Sequence, residues 1–131
     1  MRKALATLLV LALLASLSIA IAAGAREATG IKGVVLDATC YGPCRYPPKP
    51  LPPYTGSGLT VTVRSLPEHK LVAKLHPDDG HFAVKDQPGS YRVRARVGND
   101  ASCWRGEIKR VQVPAGEVAR IRLHVTNACV V

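Results

Sequence analysis

The side chains able to do chemistry fall into four sets. They are Cys40, Cys44, Cys103 and Cys129, the segment His76-Pro77-Asp78-Asp79-Gly80-His81, two alternating arginine runs, and the aromatics among prolines and cysteines. None forms a catalytic constellation. The chain has no G-x-S-x-G turn to present a nucleophilic serine, no H-E-x-x-H helix for zinc and no glycine-rich phosphate loop. Its serines lack a His or acid partner in any recognised arrangement. No catalytic residue and no cofactor is expected, and the chain reads as non-enzymatic.

The cysteines read as staples. A zinc site needs two ligand pairs at close spacing; Cys40 and Cys44 supply one, but Cys103 and Cys129 are far apart in sequence. An even number in an exported chain points to two disulfides. The expected pairing is Cys40–Cys44 and Cys103–Cys129, with crossed pairs left open because all four gather at one end of the fold. Closing about 27 residues with Cys103–Cys129 contributes about 3.6 kcal/mol, against about 2.1 for the five-residue Cys40–Cys44 loop. His76 to His81 concentrates two imidazoles and two carboxylates, but Asp and Gly there also serve a tight turn. The alternating oxygens of a calcium loop are missing. No metal site is expected.

Arg92, Arg94 and Arg96 alternate with Val93, Ala95 and Val97, and Arg120, Arg122 and His124 alternate with Ile121, Leu123 and Val125. On strands, this period puts each cationic set on the solvent face. The bland reading is a solubilising surface that guards sheet edges. The functional reading is a basic stripe for a polyanion: an acidic glycan, an anionic cell-wall polymer or lipid headgroups. The chain carries a net charge of +9. Nucleic acid is disfavoured by export and by scarce stacking residues, with one Phe, one Trp and four Tyr.

Those side chains need a scaffold, and the chain first needs an address. Arg2 and Lys3 precede an uncharged apolar run from Ala4 to Ala22, and Ala23-Gly24-Ala25 forms a small-x-small cleavage signature. Residues 1–25 read as a signal peptide helix, so residues 26–131 form a secreted, periplasmic or envelope domain. If uncleaved, the leader is long enough to anchor the chain in a membrane.

Behind the leader, short runs alternate with turn signals. Strands are expected at 30–37, 59–64, 69–75, 81–85, 90–97, 107–113 and 117–125. Asp79-Gly80 and Pro88-Gly89 each feed an aromatic and a valine at alternate positions, which suggests a tandem antiparallel meander. Residues 38–58 form an insert with six of the ten prolines, read as a stiff spacer rather than a strand. The fold class is all-β, a seven-stranded antiparallel Greek-key β-sandwich. Its expected core is Ile31, Val35, Leu59, Val61, Val63, Leu71, Leu75, Phe82, Val84, Tyr91, Val93, Val111, Val113, Ile121, Leu123 and Val125.

Ile31-x-Gly33-x-Val35-x-Asp37, Val61-x-Val63, Asp79-Gly80-x-Phe82-x-Val84, Pro88-Gly89-x-Tyr91-x-Val93 and Val111-x-Val113 occur in that order. The series resembles the carboxypeptidase regulatory-like domain, a transthyretin-like β-sandwich, over residues 30–125. The resemblance implies a non-catalytic module, of a kind often found on exported bacterial proteins. The Cys- and Pro-rich insert and the Cys103, Cys129 pair depart from that pattern.

Alternating strand directions would collect the long loops 38–58, 76–80 and 98–106 at one pole, where binding function usually sits. Ligand contact is therefore expected around Tyr41, Tyr46, Tyr54, His76 and Trp104, with Trp104 either packed over a disulfide or exposed as an anchor. The function expected is a binding module for an extracellular polyanion, glycan or envelope protein. A structural or adhesive envelope component, engaging partners by sheet faces or edges, is the alternative. A flat apolar sheet would favour the latter, exposed Tyr and Trp the former. Oligomeric state stays open.

Overall fold

The computed structural model describes residues 28–40, 50–99 and 101–129. The leader, Tyr41, Cys44 and Tyr46 lie outside them. Among the described residues eight strands follow in order: β1 (Gly30–Asp37), β2 (Leu59–Ser65), β3 (Lys70–Leu75), β4 (His81–Lys85), β5 (Gly89–Val97), β6 (Trp104–Gly106), β7 (Ile108–Val113) and β8 (Val118–Asn127). They form two four-stranded sheets, ordered β4-β1-β8-β6 and β3-β2-β5-β7. Among the described residues no helix is long and apolar enough to cross a membrane.

The inward positions are those the alternation selects. Val35, Val61, Val63, Val93, Val113, Leu123 and Val125 are fully buried between the sheets. Each such side chain contributes about 1.5–3 kcal/mol on leaving water. Val84, Leu75 and Ile121 pack against this core from its margin.

Four expectations need correction. The first concerns strand number: Trp104–Gly106 adds an eighth strand, too short for a period to show. Secondly, the sheets are not wholly antiparallel, because β1 and β8 pair in parallel from Gly30↔Val118 to Asp37↔Val125. Because β6 and β7 run the same way, the otherwise alternating directions leave the first and last strands parallel, and here they are neighbours. Nor do the two tandem turn-and-strand units form a meander: β4 pairs with β1, whereas β5 pairs with β2 and β7 in the other sheet. The fourth correction is Leu71, which is 48% exposed. A bulge after Val63 pairs Arg64 with Leu71 instead of Val72, so the period of β3 slips and Leu71 turns to solvent.

The segment 104–113 passes from one sheet to the other. Gly106 pairs with Val125 of β8, and one residue later Glu107 accepts a hydrogen bond from Ala95 N of β5 at 3.1 Å. A Cβ on Gly106 would lie 1.8 Å from the Ala95 carbonyl oxygen, so glycine alone lets the strand cross this close to β5. Both β5 and β8 run antiparallel to this segment. The ends of β1, β3, β5 and β8 therefore share a pole.

That pole is bound together. Cys103–Cys129 is a disulfide with 5.3 Å between Cα atoms. Asp37 N donates to Pro52 O and Tyr54 N to Val35 O, each at 2.8 Å, so residues 52–54 extend the sheet edge beyond β4. The Asp79-Gly80 turn ends here as well. Gly80 has φ 80°, its carbonyl accepts from Val35 N, and Asp79 Oδ1 accepts from His81 N at 2.9 Å.

Candidate functional site

Among the described residues a large group of like-charged side chains covers the outward face of the β3-β2-β5-β7 sheet. Tyr91, Val93, Ala95 and Val97 of β5 point inward, which turns Arg92, Arg94 and Arg96 outward. Register then assembles neighbours that sequence spacing alone does not reveal. Arg64 of β2 stands opposite Arg92, and Arg92 stands opposite Arg110 of β7. Three arginines thus lie side by side across three strands, spanning about 10 Å. In the next row Lys74, Thr62, Arg94 and Ile108 are in register. Beyond it Thr60 faces Arg96, and His76 Nδ1 lies 3.4 Å from Thr60 Oγ1.

The face carries Arg64, Lys74, Arg92, Arg94, Arg96 and Arg110, and none of its four strands contains an Asp or Glu. Among the described residues Arg64, Arg92 and Arg110 form no ion pair; Arg64 donates only to the His69 carbonyl at 3.1 Å. A hollow of about 470 Å³ lies over the arginines, edged by Thr60, Thr62 and Leu71. Like charges directly opposed on neighbouring strands are unfavourable. Guanidinium forks next to hydroxyls suit oxyanions, which accept two parallel N–H bonds from one arginine. Among the described residues the face offers no Phe, Tyr or Trp on which a nucleobase could stack.

The second arginine set is elsewhere. Arg120 and Arg122 lie on β8, in the other sheet, and face away from the first set. One basic stripe is thus two basic faces. On this second face Lys32 stands beside Arg120 and Val34 beside Arg122, with His81 opposite Val34. His124, read with that set, is held at the sheet margin. Its Nδ1 lies 3.0 Å from Glu107 Oε2, and Lys109 Nζ is 3.1 Å from Glu107 Oε1. Lys109 Nζ also donates to the Arg122 carbonyl at 2.6 Å, tying β7 to β8 across the sandwich. Burial pushes the Glu107 carboxyl up, but hydrogen bonds from His124 and Lys109, with their positive charge, outweigh it and leave its pKa below the usual value.

At the long-loop pole the described aromatics serve the core. Tyr54 is buried, its hydroxyl donates to Ser57 O at 2.8 Å, and its ring meets Trp104 edge-on with centroids 5.1 Å apart. Trp104 is half-buried and adjoins the Cys103–Cys129 bridge through the chain. His76 is exposed and belongs to the edge of the first basic face. Tyr41 and Tyr46 fall outside the described residues. So does the partner in the expected Cys40–Cys44 pair, although Cys40 is disulfide-bonded. Among the described residues no three His, Cys, Asp or Glu side chains gather as a metal would require.

Sequence reasoning missed Arg64, Lys74 and Arg110 as members of the face. The alternation Val63-Arg64 and Arg110-Val111 marks two of them as outward, but only register shows that they meet Arg92. No protein-family model matches the chain, and no curated protein matches it.

Proposed function

We propose that the protein is an exported, non-catalytic β-sandwich module that binds an anionic extracellular or envelope polymer through the outward face of β3-β2-β5-β7. The observation that carries this reading is the in-register row Arg64, Arg92 and Arg110 on a sheet without carboxylates. The resemblance to the carboxypeptidase regulatory-like domain implies the same non-enzymatic role. A leader cleaved after Ala25 and a disulfide-stapled domain suit an oxidising compartment.

A linear polymer fits better than a membrane, since among the described residues Leu71 and Ile108 are the large apolar side chains exposed there and no aromatic accompanies them. The test is binding of the exported protein to immobilised polygalacturonate, polyphosphate, neutral dextran and anionic phospholipid vesicles. The two charged polymers separate carboxylate from phosphate preference. Retention by at least one charged polymer and not by dextran is expected, with weaker retention of the double variant Arg92→Ser, Arg94→Ser. Equal retention of wild type and variant, or binding to vesicles alone, overturns the reading.

A further inference from the structure

We infer that the domain has a second, independent oxyanion site on the outward face of β4-β1-β8, and that it bridges two anionic polymer chains. The inference rests on the proposed polymer-binding role of the first face. Its own evidence is the topology, which puts β5 and β8 in different sheets.

The second face repeats the first in its essentials. Lys32 and Arg120 are exposed and directly in register on β1 and β8, another pair of like charges set side by side. Arg122 is exposed one row further along, beside Val34 and His81. These side chains and Ala83 edge a hollow of about 720 Å³ that no Asp or Glu lines among the described residues, with Asp79 Oδ1 3.9 Å from His81 Nδ1 at its margin. The parallel pairing of β1 with β8 is what assembles this cluster, because Lys32 and Arg120 lie at opposite ends of the chain.

The two faces act separately. Packed sheets lie about 10 Å apart and their outward side chains diverge, so charges on the two faces are farther apart than the ~8 Å screening length at physiological salt. A polymer that neutralises one face leaves the other positive. A single extended chain would have to fold around the sandwich to meet both, whereas two chains reach them directly. Bivalent contact of this kind links polymers without requiring two copies of the protein.

Agglutination of polygalacturonate-coated beads by the full exported protein tests the bridge. Wild type should bind the beads and agglutinate them. The first-face variant Arg92→Ser, Arg94→Ser and the second-face variant Arg120→Ser, Arg122→Ser should each still bind through the remaining face, more weakly than wild type and with a melting temperature no lower, yet lose agglutination. Binding without agglutination by wild type, or agglutination by either single-face variant, overturns the bridge and leaves the first-face reading standing. No binding by wild type to these beads or to polyphosphate-coated ones overturns both.

Discussion

Arg64 and Arg92 stand directly opposite one another on β2 and β5, both exposed and, among the described residues, neither in an ion pair. With Arg110 on the far side of Arg92 they form a row of three like charges. A sheet selected only for stability would place a carboxylate or a neutral residue at the centre of such a row. This local conflict between charge and fold marks a surface kept for something other than stability.

Removing the central charge should therefore stabilise the protein. Arg92→Thr is expected to raise unfolding free energy by about 0.2–1 kcal/mol. Threonine's own strand preference does not depend on salt, so the decisive feature is a gain that shrinks as salt is added. Denaturant midpoints at low and high ionic strength measure it. A gain unchanged by salt would mean the row is not repulsive.

The crossing of 104–113 between sheets predicts a severe glycine effect. In Gly106→Ala the new methyl would meet the Ala95 carbonyl oxygen at 1.8 Å, and every atom crowding it there is backbone. A loss of about 3 kcal/mol is expected. Chemical denaturation reads it, and a loss below about 1 kcal/mol would show that β6 can move away from β5 cheaply.

The staple at the long-loop pole predicts a loss on reduction. Replacing Cys103 and Cys129 together by serine should cost about 3.6 kcal/mol. The Tyr54–Trp104 contact beside it should loosen, so Trp104 emission should shift to longer wavelength in the variant before global unfolding. Emission equal to wild type would uncouple the bridge from the aromatic pair.

Glu107 predicts a pH dependence of definite sign. Its folded pKa is lowered, so its contribution is fully present above the unfolded value and is lost as pH falls through the folded one. At pH 7, Glu107→Gln should cost about 0.5–1 kcal/mol, since the three partners are roughly one-third exposed. That cost should fade below about pH 4.3. Stability curves of both proteins between pH 3 and 7 check this, and a cost constant across the range would contradict it.

Much of the sandwich was legible in the sequence because its strands obey period two. Residues 30–37, 59–64 and 81–85 were read within a residue of their observed bounds, and Val61, Val93 and Leu123 are buried as their alternation requires. Leu71 was misread because a bulge shifts register without altering composition. Tyr54 was missed as core because it lies among prolines with no period around it. The basic residues were visible, but their grouping was not. Period two says which side of its own sheet a residue faces; it does not say that β5 and β8 belong to different sheets, or that Arg64 and Arg110 flank Arg92.

The central claim is that the arginine row binds an oxyanionic polymer. The most direct measurement is the salt dependence of polygalacturonate affinity, followed by titration calorimetry for wild type and for Arg92→Ser, Arg94→Ser. Polyphosphate replaces it if the carboxylate polymer does not bind. Wild-type affinity should fall about tenfold or more between 50 and 200 mM salt, as exposed charges are screened and counterions are no longer released at a gain. The variant should bind more weakly with a shallower slope and a melting temperature no lower than wild type. Affinity that ignores salt, or identical slopes for both proteins, would contradict the account.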